Sequence, residues 1–281
     1  MSSADPEPRI ILAGRYGWIS IGRQTLKIKL LPSWLGDDIQ VQLLTTFLIN
    51  DCLAIDAGSL GFVLDARERG RVDSIVLTHA HLDHIASMPI FIDEEFRRLT
   101  SPLIVYALPE VILSLRQFVF NDQIWPNFEK ITGPNLRGPA LEFHTLEPRT
   151  RIEVAGVGIT PIPVNHTVPT VGLLLESDGA AVIYTSDTYV TDELWELANR
   201  TQHLKAIFVD VSYPNEMETL AAASRHLTPQ SLCSELLKLK QEAEIHCMHI
   251  KPAYRDRVLL QLNELQNPRI CVAEIGRVYE W

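Results

Sequence analysis

Apolar, β-rich runs of strand length recur along the whole chain, and this recurrence restricts its fold more than any other feature. They read LTTFLIN, CLAIDAG, SIVLTH, PLIVYAL, GVGITPIPV, VGLLLES, AAVIYTS, AIFVDVS, EIHCMHI and RICVAEI. Several are apolar at nearly every position, which strands show when both faces of their sheet are covered. Helix-like segments lie between them at Leu60 to Arg69, Ile85 to Arg98, Pro109 to Phe120, Val190 to Asn199, Pro229 to Lys240 and Ala253 to Leu265. Thr228 before Pro229, and Thr191-Asp192 before an apolar-periodic run, are helix-start signals. Strands cluster first and then alternate with helices, so the expected architecture is an α/β sandwich with helices outside.

A chain of 281 residues can bury a sizeable core, and one domain spanning 1–281 is expected although the length allows two. With 46% hydrophobic and 21% charged residues, composition excludes a disordered chain or a repeat array. The opening MSSADPEPRI has no signal-peptide pattern and no apolar run reaches membrane-span length, so a cytoplasmic protein without membrane contact is expected. Cys52, Cys233, Cys247 and Cys271 lack CxxC spacing and are read as free, mostly buried thiols. A net charge of −10 argues against a stable nucleic acid partner. It leaves room for a small anionic substrate, because bound divalent cations can reverse the local field. Segment 121–139, NDQIWPNFEKITGPNLRGP, is a proline- and glycine-rich insertion. Its Trp125, Asn127 and Phe128 are candidates for a substrate-binding wall.

The densest chemistry lies in THAHLDHIASMP, residues 78–89. SIVLT reads as a buried strand and IASMPIFIDEEF as a helix, so the histidines leave the C-terminal end of a strand, where ligands of open α/β sheets gather. His79 and His81 face one side of an extended loop, while Asp83 and His84 point toward a second position. Imidazole and carboxylate suit zinc, and also manganese or iron. His166, Asp187 and His249 each end another apolar run, as ligands converging on one sheet edge would. Asp187 is the natural bridging carboxylate of two cations. His144, His203 and His246 lack such company and are read as structural or surface residues.

THAHLDH, the N-H at His166, the T-S-D at Asp187 and the H-I-K-P at His249 resemble the ligand series of the metallo-β-lactamase superfamily, with LAIDAGS around Asp56 as its first motif. The resemblance implies a four-layer αββα sandwich and gives Asp56 a supporting role behind the ligands. HAHLDHIAS, TTFLINDCLAIDAGS, FNDQIWPNF, LKAIFVDVSYPNE and RHLTPQSLCSEL further resemble class II cyclic-nucleotide phosphodiesterases. Two stretches depart from that pattern: the glycine-rich opening is reduced to ILAGRYG and LPSWLGD, and SMPIF follows Ala86 in place of small residues. A homodimer is a family-level expectation only.

Two cations of this kind, zinc first, would support attack of a bridging hydroxide on the phosphorus of a 3′,5′-cyclic nucleotide, cyclic AMP or cyclic GMP, releasing a 5′-nucleotide. Asp83 would orient the hydroxide. His226 in RHLTPQ, similar to the HxT element of related phosphodiesterases, would protonate the 3′ oxygen. Asn165 and Thr167 flank His166 and are candidate substrate contacts. No Walker loop, dinucleotide loop or Gly-x-Ser-x-Gly elbow is present. The enzyme rivals are a tRNase Z-like endonuclease, which would carry a long basic arm, and a glyoxalase-type thiolesterase, which would need a helical C-terminal domain. A catalytically silent interaction protein is the rival of another class, and would show decay in the ligand set.

Overall fold

The computed structural model describes residues 25–35 and 40–281. The reduced opening ILAGRYG and the end of LPSWLGD lie outside the described residues. Two seven-stranded mixed sheets carry the fold. The first runs, in spatial order, β14 (Val278–Glu280), β1 (Lys27–Leu30), β2 (Phe47–Ile49), β3 (Leu53–Ile55), β4 (Ser74–Val76), β5 (Leu103–Ala107) and β6 (Leu141–Thr145). The second runs β13 (Ile270–Val272), β12 (Glu244–Met248), β11 (Leu204–Asp210), β10 (Ala180–Tyr184), β9 (Val171–Ser177), β8 (Val157–Pro163) and β7 (Ile152–Val154).

The continuous apolar runs have a direct physical reason, for alternate residues of one strand enter two different cores. In β10, Val182 and Tyr184 face the space between the sheets, while Ala181 and Ile183 face helices on the outside. In β11, Ala206 and Phe208 point inward and Ile207 and Val209 outward. Phe47 of the first sheet meets Tyr184 and Phe208 of the second at ring-centroid distances of 4.9 and 5.2 Å, so the sheets pack face to face. The helices Glu193–Arg200, Pro229–Leu236 and Arg255–Glu264 bury Leu194, Trp195, Leu232 and Val258 against the outer face of the second sheet. Helix Met88–Glu95 buries Phe91 and Ile92 in the core that contains the first sheet. The result is an αββα sandwich.

Strands β3 to β6 pair in parallel, as do β10 to β13. Parallel pairing brings the C-terminal ends together within each sheet, and the donor residues of the two sheets meet there. Asp56 and His249 directly follow β3 and β12, Asp210 ends β11, and His79 and Asp187 follow β4 and β10 after two residues each.

Three expectations change in the structure. The run from Leu60 to Arg69 is two short helices, because Asp65 is extended and caps a new start: its side chain accepts Arg67 N–H and Glu68 N–H, and Glu68 returns a bond to its backbone. The helix expected from Ile85 begins earlier, with one turn at Leu82–Ile85, so Asp83 and His84 are helical. Of the four free cysteines only Cys247 is buried; Cys233 and Cys271 are exposed, since they sit on an outer helix and a sheet-edge strand. No helix among the described residues is long and apolar enough to cross a membrane.

Candidate metal centre

The centre is built around a buried carboxylate. Asp56 is fully buried and accepts Thr78 N–H at 2.8 Å, the Thr78 hydroxyl at 3.0 Å and the Tyr184 hydroxyl at 3.1 Å. It also holds His84 Nδ1 at 2.7 Å. With Nδ1 donating to Asp56, the His84 Nε2 faces inward, 3.4 Å from Asp187 Oδ1. The Thr78 hydroxyl, tied to Asp56 and to Ser186 Oγ at 2.8 Å, lies 3.0 Å from His79 Nδ1 and orients the next ring. The strand ends turn sharply into the site: Asp56, Ser186 and His249 have φ of 58, 55 and 59°, a left-handed conformation that costs a non-glycine residue about 1–2 kcal/mol.

Two donor groups result, each with ligand atoms within 4.8 Å of one another. One joins His79, His81, His166 and Asp187; the other joins Asp83, His84, Asp187 and His249. Asp187 Oδ2 lies 3.7 Å from His79 Nε2, 3.9 Å from His166 Nε2 and 3.5 Å from His249 Nε2. His166 Nε2 is 3.1 Å from His81 Nδ1, and His249 Nε2 is 3.2 Å from Asp83 Oδ2. Tetrahedral ligands about 2.05 Å from one zinc ion stand about 3.3 Å apart, which matches these separations. His79 Nε2, His84 Nε2 and Asp187 Oδ1 are buried with no hydrogen-bond partner. Buried polar atoms without partners are costly, and these three converge on the same space, so the donor set fits divalent cations.

Burial would lower the His84 pKa, but the Asp187 and Asp56 carboxylates outweigh it and raise it well above the ordinary value; the rings of the first group behave oppositely. Burial holds the His79 pKa well below the ordinary value, with the charge of His84 adding to it. Burial also lowers His81 and pushes His166 down to about 4. These imidazoles therefore present neutral lone pairs at neutral pH, the form that binds a metal. Burial opposes ionisation of Asp83, but the hydrogen bond from His249 and the charges of His84 and His249 outweigh it, so the carboxyl titrates below its usual range. The same balance, dominated by His249 and His84, keeps Asp187 ionised.

A third group joins Asp187 and His249 to Asp210 and His226. Asp210 Oδ2 holds His226 Nδ1 at 2.7 Å, and the His226 ring stacks on His249 at 5.4 Å. Burial would lower the His226 pKa, but the Asp210 carboxylate outweighs it and raises it. Ser212 Oγ lies 2.7 Å from Asp210 Oδ1 and 3.0 Å from His249 Nδ1, so one hydroxyl links the two histidine supports. Sequence reasoning missed Asp210, although AIFVDVS carries a carboxylate at its strand's terminus much as VIYTSD does just beyond its own. It also missed Lys251, whose ammonium is 3.9 Å from Asp83 Oδ2 and a third exposed; HIKP carried the signal.

The remaining candidates divide. Phe128 is buried against Phe96, and the Asn127 side chain accepts Glu129 N–H within its own turn. Trp125 packs against the core. The insertion folds back on the domain through these residues, with Phe128 in the core and Trp125 and Asn127 half-buried. Asn165 is held by Val190 O and by Arg225, shaping the loop of His166. Thr167 lines a cavity beside that histidine. His246 stacks on Phe208, and His144 and His203 are exposed, as expected of structural and surface histidines.

A four-layer sandwich with histidines and aspartates gathered where strand ends of both sheets meet defines a metal-dependent hydrolase. Residues 49–250 match the beta-lactamase superfamily domain, and the chain belongs to that family. It is 28% identical to a probable 3′,5′-cyclic-nucleotide phosphodiesterase of Yersinia pestis, covering 78% of this chain and 68% of that one. It is 30% identical to a ribonuclease Z of Mycobacterium bovis over 138 residues, 45% of this chain and 48% of that one. Among solved structures it superposes on unliganded yeast PDE1 with a TM-score of 0.74 at 18% identity, covering 90% of this chain and 99% of that one.

Proposed function

We propose that the protein hydrolyses 3′,5′-cyclic nucleotides to 5′-nucleotides at a dinuclear centre held by His79, His81, Asp83, His84, His166, Asp187 and His249. The observation that carries this reading is the shared Asp187 carboxylate, with His79, His81 and His166 on one side, Asp83, His84 and His249 on the other, and the Asp210–His226 pair adjoining. Similarity to the Yersinia pestis phosphodiesterase over most of the chain supports the substrate class. Two divalent ions, zinc by donor type, would supply an activated water and neutralise phosphoryl charge when bound. Asp83 sits at the exposed side of its group and accepts a hydrogen bond from the attacking water, fixing its direction. His226, charged through Asp210, delivers a proton to the departing 3′ oxygen, and Asp210 holds the ring so that Nε2 is the donor. Lys251 lends a mobile positive charge at the mouth for the phosphodiester.

The test is a substrate panel. Protein loaded with zinc, or with manganese or iron, is mixed separately with cyclic AMP, cyclic GMP and a precursor tRNA, and products are separated chromatographically. Release of 5′-AMP or 5′-GMP is expected. Cleavage of the tRNA alone would replace this reading with the endonuclease one, and turnover of nothing would favour a silent binding protein. Insertion 121–139 offers only Lys130 and Arg137 as cations, which is poor equipment for gripping a polyanion.

A further inference from the structure

The backbone of His249 needs a partner from outside its own sheet. Met248 is the last residue of β12 paired with β11, and β13 pairs no further than Cys247, so the His249 N–H lies beyond both ladders. Its φ of 59° is one that a non-glycine residue keeps only where the surroundings hold it. Ser212 Oγ stands 2.9 Å from the His249 carbonyl and 3.0 Å from its Nδ1. The N–H donates to Gln42 Oε1 at 2.8 Å, and Gln42 comes from the other sheet, in the connection between β1 and β2.

That connection acts as a strut between ligands. Ser33 is buried, and its Oγ accepts Leu43 N–H at 2.8 Å and Leu44 N–H at 2.9 Å. Gln42 Nε2 donates to Thr45 Oγ1 at 3.1 Å; a backbone N–H can only donate, so the amide oxygen is the atom that faces His249. Thr45 N–H donates to Asp83 O at 2.8 Å, and Thr45 O accepts Gly58 N–H at 3.0 Å. One short segment therefore grips His249 at one end and the turn of Asp83 at the other, and both belong to the second donor group. The first group has supports of its own: the Thr78 hydroxyl 3.0 Å from His79 Nδ1, and Arg225 O 3.2 Å from His166 Nδ1.

We infer that Gln42 is a positioning residue for one cation of the pair, the one held by Asp83, His84, Asp187 and His249, and that it bears little on the other; the inference rests on the dinuclear centre proposed above. Without the amide oxygen the His249 N–H is left unpaired and its backbone is free to leave the left-handed conformation. The ring then moves from Asp83 Oδ2 and Asp187 Oδ2, now 3.2 and 3.5 Å from its Nε2.

The experiment titrates metal-free wild type, Gln42→Met and Gln42→Glu with zinc against a chelating dye and resolves two stepwise dissociation constants. Methionine matches glutamine in length without a good acceptor, whereas glutamate keeps an oxygen for the His249 N–H. In Gln42→Met one constant should rise about 10–100-fold and the other stay within about threefold, and Gln42→Glu should recover most of the loss. Crystals of Gln42→Met at one zinc equivalent should show the ion, by anomalous scattering, among His79, His81 and His166. An ion among Asp83, His84 and His249 instead would overturn the inference. So would two unchanged constants in Gln42→Met, or a loss that Gln42→Glu fails to recover. A role in packing alone would weaken both constants equally and lower the urea midpoint of the metal-free protein, which would overturn it too. In each of these cases wild type still binds two ions and the dinuclear reading stands; wild type that takes up fewer than two would overturn that reading itself.

Discussion

At the residue scale the centre depends on groups that touch no substrate. Asp56 orients His84 and Thr78 together, so its loss releases two supports at once. Asp56→Ala is expected to weaken metal affinity by about 10–100-fold, read by competition against a chelating dye. In the proposed reaction His226 and Asp210 act on the proton. His226→Ala should lower kcat for cyclic AMP by about 10²–10⁴-fold with zinc content retained, and Asp210→Asn should follow it in part. An unchanged kcat in His226→Ala would remove it from the reaction. All seven members of the proposed ligand set were legible as candidates, because imidazoles and carboxylates at the ends of apolar runs are rare in combination. Asp210 was not, since a single aspartate inside AIFVDVS resembles any strand-end polar residue until its contact with His226 is seen.

At the element scale the helical turn Leu82–Ile85 is seated by close packing. A Cβ on Gly58 would stand 2.0 Å from Asp83 O and 2.7 Å from Thr45 N, both backbone atoms that cannot yield independently. Gly58→Ala should therefore destabilise the fold by about 1–3 kcal/mol or more, visible in urea unfolding, and lower metal occupancy with it. On the outer face, Glu235 is buried, accepting Thr191 N–H at 3.0 Å and the Trp195 indole at 2.8 Å while pairing with Lys238 at 2.7 Å. Glu235→Ala strands those donors and should cost about 3 kcal/mol by the same measurement. The central strands and long helices could be read from periodicity. Strands β1, β6, β7 and β14 could not, for β6, β7 and β14 lie at sheet edges and β1 next to one, where mixed polar runs such as LEFHT and KIKL satisfy their half-exposed faces.

At the scale of the whole molecule, metal and stability are linked. The orphaned atoms of His79, His84 and Asp187 lie between the sheets' edges, where unfolding alone returns them to water. Zinc at about a thousand times its dissociation constant adds about 4 kcal/mol, which for a domain of this size is roughly 10 °C in Tm. Chelation should lower the melting temperature by about that amount and zinc should restore it; identical melting of both forms would mean that the cluster holds no ion.

The linear chain determined the layered α/β class and the donor inventory, because both are local: apolar periodicity sets which faces are covered, and ligand chemistry belongs to residue type. Only the tertiary structure decided what those donors share. Parallel pairing within each sheet and packing of the two sheets face to face brought residues as distant as His79 and His249 together, made Asp187 common to three groups and set Asp210 behind His226. It also turned Phe128 into core and opened a cavity beside His166, since burial and enclosure depend on which elements meet in space rather than on the residues that line them.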